Sequence, residues 1–118
     1  MTAKIVLSDL GAFAKKGRVS DLARFYKTGD GEYGEGDLFL GGTVPQTRSV
    51  AKNHQKLDLK EVDKLFQSPF HEARLCAAII LNHQFAKAQT SQDRKMIFEF
   101  YMKQVRAERV NNWDIVDV

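Results

Sequence analysis

The sequence contains one cysteine, Cys76, so no disulfide can form within the chain. It also has only 2 prolines, and no basic leader joined to an apolar core and a small-residue cleavage site. Together these absences point to a reducing, intracellular compartment. Long hydrophobic runs are missing as well: the longest, Leu75 to Leu81, is far too short to cross a bilayer, so membrane spanning is excluded. No Val, Ile or Thr-rich alternation bounded by tight turns is present, which removes the usual signature of a half-buried sheet. The histidines His54, His71 and His83 do not fall at metal-ligand spacing, and His71-Glu72 lacks the second histidine of a zinc-protease helix, so surface or capping roles are expected for them.

What is present is an ordinary globular composition. The chain has 118 residues, 43% apolar and 28% charged, which predicts a single domain over residues 1–118. A chain of this size buries roughly 60 to 70% of its unfolded surface, enough for a core without staples. The net charge of +3 permits an anionic partner without demanding one, and all the excess lies after residue 42.

Apolar residues recur at three- and four-residue spacing, so the reading is all-α. A first helix is expected from about Lys4 to Lys16 with Val6, Leu10 and Phe13 on one stripe, and a second from about Val19 to Lys27. Six of the eight glycines fall between Gly29 and Gly42, which must be a loop. Pro45, with Thr43 or Val44 before it, opens a third helix running to about His54. Asp58 and Glu61 resemble a capping box for a fourth, whose buried side is Leu59, Val62, Leu65 and Phe66. The fifth, about Pro69 to Lys87, is apolar nearly all round and should be the central element, with Cys76 in the core. Thr90 and Asp93 open a sixth in which Ile97, Tyr101 and Val105 line one face and Glu99 pairs with Lys103 on the other. Asn111 caps a seventh. Short amphipathic helices with brief connectors suit stacked antiparallel helical hairpins, an α-solenoid built from two-helix repeats.

Gly29, Gly31 and Gly34 spell G-x-G-x-x-G, but a helix rather than a strand precedes them and four carboxylates stand nearby, so a nucleotide site is rejected. Arg48 and Lys52, four apart with Lys56 just beyond, form a basic edge that is either solvated surface or a phosphate contact. The helix start at Thr43, Val44 and Gln46 favours the second reading, because its free N–H groups should face an anion. Trp113 and Asp117 lie one helical turn apart. They are either core packing with first-turn acids, or an aromatic sugar platform beside a carboxylate able to stabilise an oxocarbenium cation.

Four ordered blocks carry a resemblance: Phe25-Tyr26-Lys27-Thr28-Gly29-Asp30-Gly31-Glu32-Tyr33-Gly34-Glu35-Gly36-Asp37; Phe39-Leu40-Gly41 with Pro45 and Arg48; Ser68-Pro69-Phe70-His71-Glu72-Ala73-Arg74-Leu75; and Asn111-Asn112-Trp113-Asp114-Ile115-Val116-Asp117. Together they closely resemble the AlkD-like DNA alkylation repair family, from about residue 20 to 118, over the amino-terminal part of that family's usual length. The resemblance implies a HEAT-like α-solenoid, truncated, with a curved basic groove for double-stranded DNA. It implies monofunctional DNA glycosylase chemistry that releases N3- or N7-alkylated purines, with no cofactor and no metal. Asp117 matches the catalytic aspartate and Trp113 an aromatic residue against the deoxyribose. Phe25 and Thr43 align with groove residues near the lesion, Arg48 with a phosphate contact, and Lys27, Gln46 and Lys52 complete the DNA-binding set. A cytoplasmic protein, nucleoid-associated when bound to DNA, is implied. Because further repeats of the family lie beyond the matched part, this length is expected to bind DNA weakly, to have weak activity or none, and to self-associate through its open end. The alternative reading is a non-catalytic helical-repeat module that binds DNA or protein.

Overall fold

A computed structural model describes residues 2–13, 40–107 and 109. Among them every regular element is a helix: α1 (Ala3–Gly11), α2 (Val44–Asn53), α3 (Leu59–Phe66), α4 (His71–Lys87) and α5 (Ser91–Arg106). The expected second helix at 19–27, the seventh from Asn111 and the glycine-rich stretch up to residue 39 lie outside the described residues. No helix among the described residues is long and apolar enough to cross a membrane.

Local sequence accounts for most helix starts. The Thr2 hydroxyl accepts the N–H of Ile5 at 3.3 Å, and the Thr90 hydroxyl that of Asp93 at 3.1 Å. Each supplies a partner for an N–H that the first turn leaves unpaired. Helix α1 stops at Gly11, earlier than the expected Lys16, with Ala12 donating back to the carbonyl of Ser8 and Phe13 to that of Leu10. Glycine is a poor helix former, and the buried apolar residues before it, Ala3, Val6 and Leu10, have by then reached the core.

Helix α4 is the central element, as its composition predicts: it packs on all four other helices, and every residue from His71 to Leu81 is buried. The core joins Val6 and Leu10 of α1, Val50 and Ala51 of α2, and Val62, Leu65 and Phe66 of α3 to the apolar run of α4. Each fully buried Leu, Ile, Val or Phe contributes roughly 1.5 to 3 kcal/mol relative to exposure. Phe66 and Phe100 meet as tilted rings, centroids 6.3 Å apart, and tie α3 to α5.

Three local expectations are corrected. Asp58 is the N-cap residue of α3, but its side chain makes no cap hydrogen bond. The Glu61 carboxylate accepts instead from the backbone N–H of Ala3 at 3.0 Å and pairs with Lys64 at 2.8 Å, so its charge serves the amino end of α1. On α5, Val105 is 37% exposed while Gln104 is fully buried. The inward face therefore runs through Ile97, Phe100 and Gln104, because Asp63 of α3 offers Gln104 a partner at 2.8 Å. Glu99 lies 4.0 Å from Lys95 rather than pairing with Lys103. Finally, His54 and His71 are buried rather than at the surface. His54 does cap α2, and its Nε2 is drawn in by Asp9 at 2.7 Å.

Candidate functional site

The described part of the candidate site is the amino-terminal end of α2 and the strand of backbone that leads into it. Gly41 has φ of 99°, a conformation that a residue with a side chain rarely adopts, and it turns the chain into the helix. Beneath this turn lies Glu72, in the first turn of α4 and only 4% exposed. Its Oε2 accepts the backbone N–H groups of Leu40 at 2.9 Å, Gly41 at 2.7 Å and Gly42 at 3.1 Å. Successive backbone N–H groups converging on one point make an anion-binding concavity. Here the anion is the protein's own carboxylate.

Thr43 follows as N-cap of α2. Its hydroxyl accepts from the Gln46 N–H at 3.2 Å, while its own N–H donates to Gln46 Oε1 at 2.9 Å, closing a capping box around Pro45. The Thr47 hydroxyl adds a bond to the Thr43 carbonyl at 3.0 Å. The expectation that Thr43, Val44 and Gln46 offer free N–H groups to an anion is therefore overturned for two of these three residues. The box consumes those of Thr43 and Gln46, and Pro45 has none. What Gln46 still presents is its side-chain Nε2, which has no hydrogen bond among the described residues, beside a half-exposed Thr43.

Thr47, Val50 and Ala51 bury the inner face of α2 and so turn Arg48 and Lys52 outward, where both are exposed. The pair stands one turn apart on the same side of the helix. Neither forms an ion pair among the described residues, whereas Lys64, Lys95 and Arg109 are engaged by Glu61, Glu99 and Asp63. Lys56 continues the basic edge past the end of the helix and is exposed too. Thr43, Gln46, Arg48 and Lys52 are thus brought together at and along one helix, whose two cations meet no carboxylate partner among the described residues. Phe25, Lys27, Trp113 and Asp117 lie outside the described residues.

A second polar cluster closes the carboxyl end of α5. Asp63 Oδ1 accepts from Gln104 Nε2 at 2.8 Å and from Arg109 at 3.2 Å, its Oδ2 accepts from Gln67 at 2.6 Å, and Arg109 also donates to Gln104 Oε1 at 2.8 Å. Burial pushes the Asp63 carboxyl up, but hydrogen bonds from Gln104 and Gln67 and the charges of Arg109 and Lys103 outweigh it and hold the group below its ordinary value. Cys76 is fully buried, and burial, with Asp9 adding to it, pushes its thiol up to about 12. A thiol of that kind is not a nucleophile at neutral pH. Among the described residues, no group of three or more His, Cys, Asp or Glu side chains could hold a metal ion.

Sequence reasoning missed Glu72, Asp63 and Gln104. Gln104 had a signal: it stands seven residues after Ile97 and four after Phe100, on the apolar stripe, where a polar side chain needs a partner. Glu72 had a weaker one, an acid in the first turn of the helix that carries the longest apolar run of the sequence.

Residues 6–118 match the family model described as DNA alkylation repair enzyme. Comparison with curated proteins and comparison with solved structures each return no match. The matched span takes in α2 to α5, α1 from its fourth residue on, the cationic edge of α2, and the segment that carries Trp113 and Asp117. An all-helical chain matched over nearly its whole length in this way belongs to the DNA alkylation repair enzyme family, and membership implies an interaction with DNA.

Proposed function

We propose that this protein is a DNA glycosylase that hydrolyses the N-glycosidic bond of N3- and N7-alkylated purines in duplex DNA. The observation that carries the reading is the family match over residues 6–118, which runs through the Asn111 to Asp117 block. The outward Arg48 and Lys52, which form no ion pair among the described residues, support the DNA-facing assignment of α2, since exposed cations of this kind gain most from phosphate.

An alkylated purine carries a positive charge and is already a good leaving group. The C1′–N bond breaks with the electron pair leaving on the base, positive charge develops on the sugar, and water adds to C1′ with release of a proton. The chemistry asks the protein for a negative group beside the sugar and a surface that holds it. Asp117 is assigned the first role, stabilising the developing oxocarbenium charge and orienting water. Trp113 is assigned the second, as a flat apolar platform for the deoxyribose. Arg48 and Lys52 hold backbone phosphates, with Thr43, Gln46, Phe25 and Lys27 nearer the lesion.

The test is release of free base from duplex DNA containing 7-methylguanine, measured beside the same duplex with unmodified guanine. Release faster than spontaneous depurination, confined to the methylated duplex, is expected. Binding of both duplexes with no release above the spontaneous rate would make the chain a DNA-binding module instead.

A further inference from the structure

We propose that Glu72 is a positioning residue for DNA binding: by holding the backbone of Leu40, Gly41 and Gly42 it fixes the first turn of α2 and so the direction in which Arg48 and Lys52 meet the phosphates. The proposal rests on the reading of α2 as a DNA-facing helix.

The geometry runs in one unbroken sequence from the core to the surface. Glu72 belongs to α4, the helix packed on every other, and is 4% exposed, so its carboxylate is a fixed point. Among the described residues no cation pairs with it, and its partners are the N–H groups of Leu40, Gly41 and Gly42. Taking a carboxylate out of water is costly unless its hydrogen bonds are well made, and here three amides supply them at 2.7 to 3.1 Å. Gly42 is joined directly to Thr43, the N-cap, and the reciprocal bonds between Thr43 and Gln46 leave the first turn little freedom to pivot. Arg48 and Lys52 then sit on a rigid rod about 6 Å apart along its axis. Two phosphate contacts depend on one axis direction, and that direction is set by Glu72.

The role differs from simple stabilisation in what it couples. A residue that only raises stability leaves the worth of Arg48 to DNA unchanged in molecules that remain folded. A positioning residue makes that worth conditional. The experiment is a double-mutant cycle on duplex DNA affinity over a salt series, using the whole chain, Glu72→Gln, Arg48→Ala and the pair, each held well below its unfolding temperature. Gln keeps the shape and one acceptor oxygen, but it removes the charge that three amides share and puts an NH2 group where Oε1 accepts from Leu40.

Arg48→Ala is expected to weaken binding about fivefold to tenfold at 0.1 M salt and to reduce the slope of log affinity on log salt by about 0.9. Glu72→Gln is expected to reduce that slope by up to about 1.8, the share of two phosphate contacts. In the Glu72→Gln background, Arg48→Ala should then cost less than about twofold, since the contact is already lost. An equal cost of Arg48→Ala in both backgrounds overturns the proposal, whatever the unfolding temperatures do. No cost of Arg48→Ala in the unmodified chain overturns the DNA-facing reading of α2 itself, a distinct result. Should Glu72→Gln fail to fold, the same cycle in Glu72→Asp, which keeps the charge but draws the carboxylate back by one methylene, carries the same expectations.

Discussion

Glu72 Oε2 lies 2.7 Å from the backbone nitrogen of Gly41, a residue 31 positions earlier whose φ of 99° turns the chain so that its own N–H and that of Gly42 both meet the carboxylate. The two residues depend on one another. Without the turn at Gly41 the successive amides would not converge on the acid, and without the acid two buried N–H groups and one part-buried one would lose this partner.

The turn therefore distinguishes two adjacent glycines. Gly41→Ala is expected to lower stability by about 1 to 2 kcal/mol, because a side chain is strained at that φ. Gly42→Ala should stay within about 0.5 kcal/mol, because the added Cβ would meet Gln46 Oε1 and Phe13 Cβ at 3.7 Å, ordinary contact distances. Chemical denaturation of the two variants checks this, and equal losses would contradict the assigned geometry.

Much of the fold was legible because its signals are local. Thr43, Pro45 and Gln46 announce the start of α2 within four positions, Thr90 and Asp93 that of α5, and the run Leu75 to Leu81 marks the helix that others surround. Partners distant in sequence leave no such mark. Asp58 and Glu61 have the spacing of a capping box, yet Glu61 is taken by Ala3, 58 residues away, because the amino end of α1 arrives there in the fold. Two of the three N–H groups expected to be free at the start of α2 are consumed by its own box, and Gln104 is drawn inward by an acid on another helix. Arg48 and Lys52 were legible as an exposed basic edge from their spacing alone, whereas Trp113 and Asp117 enter through the family's sequence pattern.

Asp63 gives a pH prediction with a definite sign. Its carboxyl lies below its ordinary value in the folded protein, so over that interval the unfolded chain binds more protons and folding is favoured as pH rises. The contribution is fully present above the unfolded value, near 3.8, and is lost as pH falls through the lower folded one. Asp63→Asn should remove this part of the acid sensitivity, so that the stability difference between the two proteins narrows below about pH 4. Denaturation midpoints at pH 7 and at pH 3 measure it, and an undiminished difference at the lower pH would contradict it.

Gln104 tests the same cluster from its other side. Gln104→Ala leaves a partner of Asp63 and of Arg109 missing inside a buried site, and should cost about 2 to 3 kcal/mol. A loss under about 0.5 kcal/mol in urea denaturation would mean that water replaces the amide at no cost.

Cys76 should be inert in the folded protein. With full burial and its thiol near 12, only about one part in ten thousand is thiolate at pH 8. Reaction with an aromatic disulfide reagent is expected to be at least about 100-fold slower in buffer than in denaturant. Equal rates would show that α4 opens readily.

The proposed glycosylase activity assigns base release to an acid beside the sugar, and Asp117→Asn removes the charge of that acid while keeping its shape. Single-turnover release of 7-methylguanine from duplex DNA should fall by about 100-fold, or to the spontaneous rate where that is reached first, while affinity for the same duplex changes by less than about threefold. An Asn variant that releases base as fast as the unmodified chain would contradict the account.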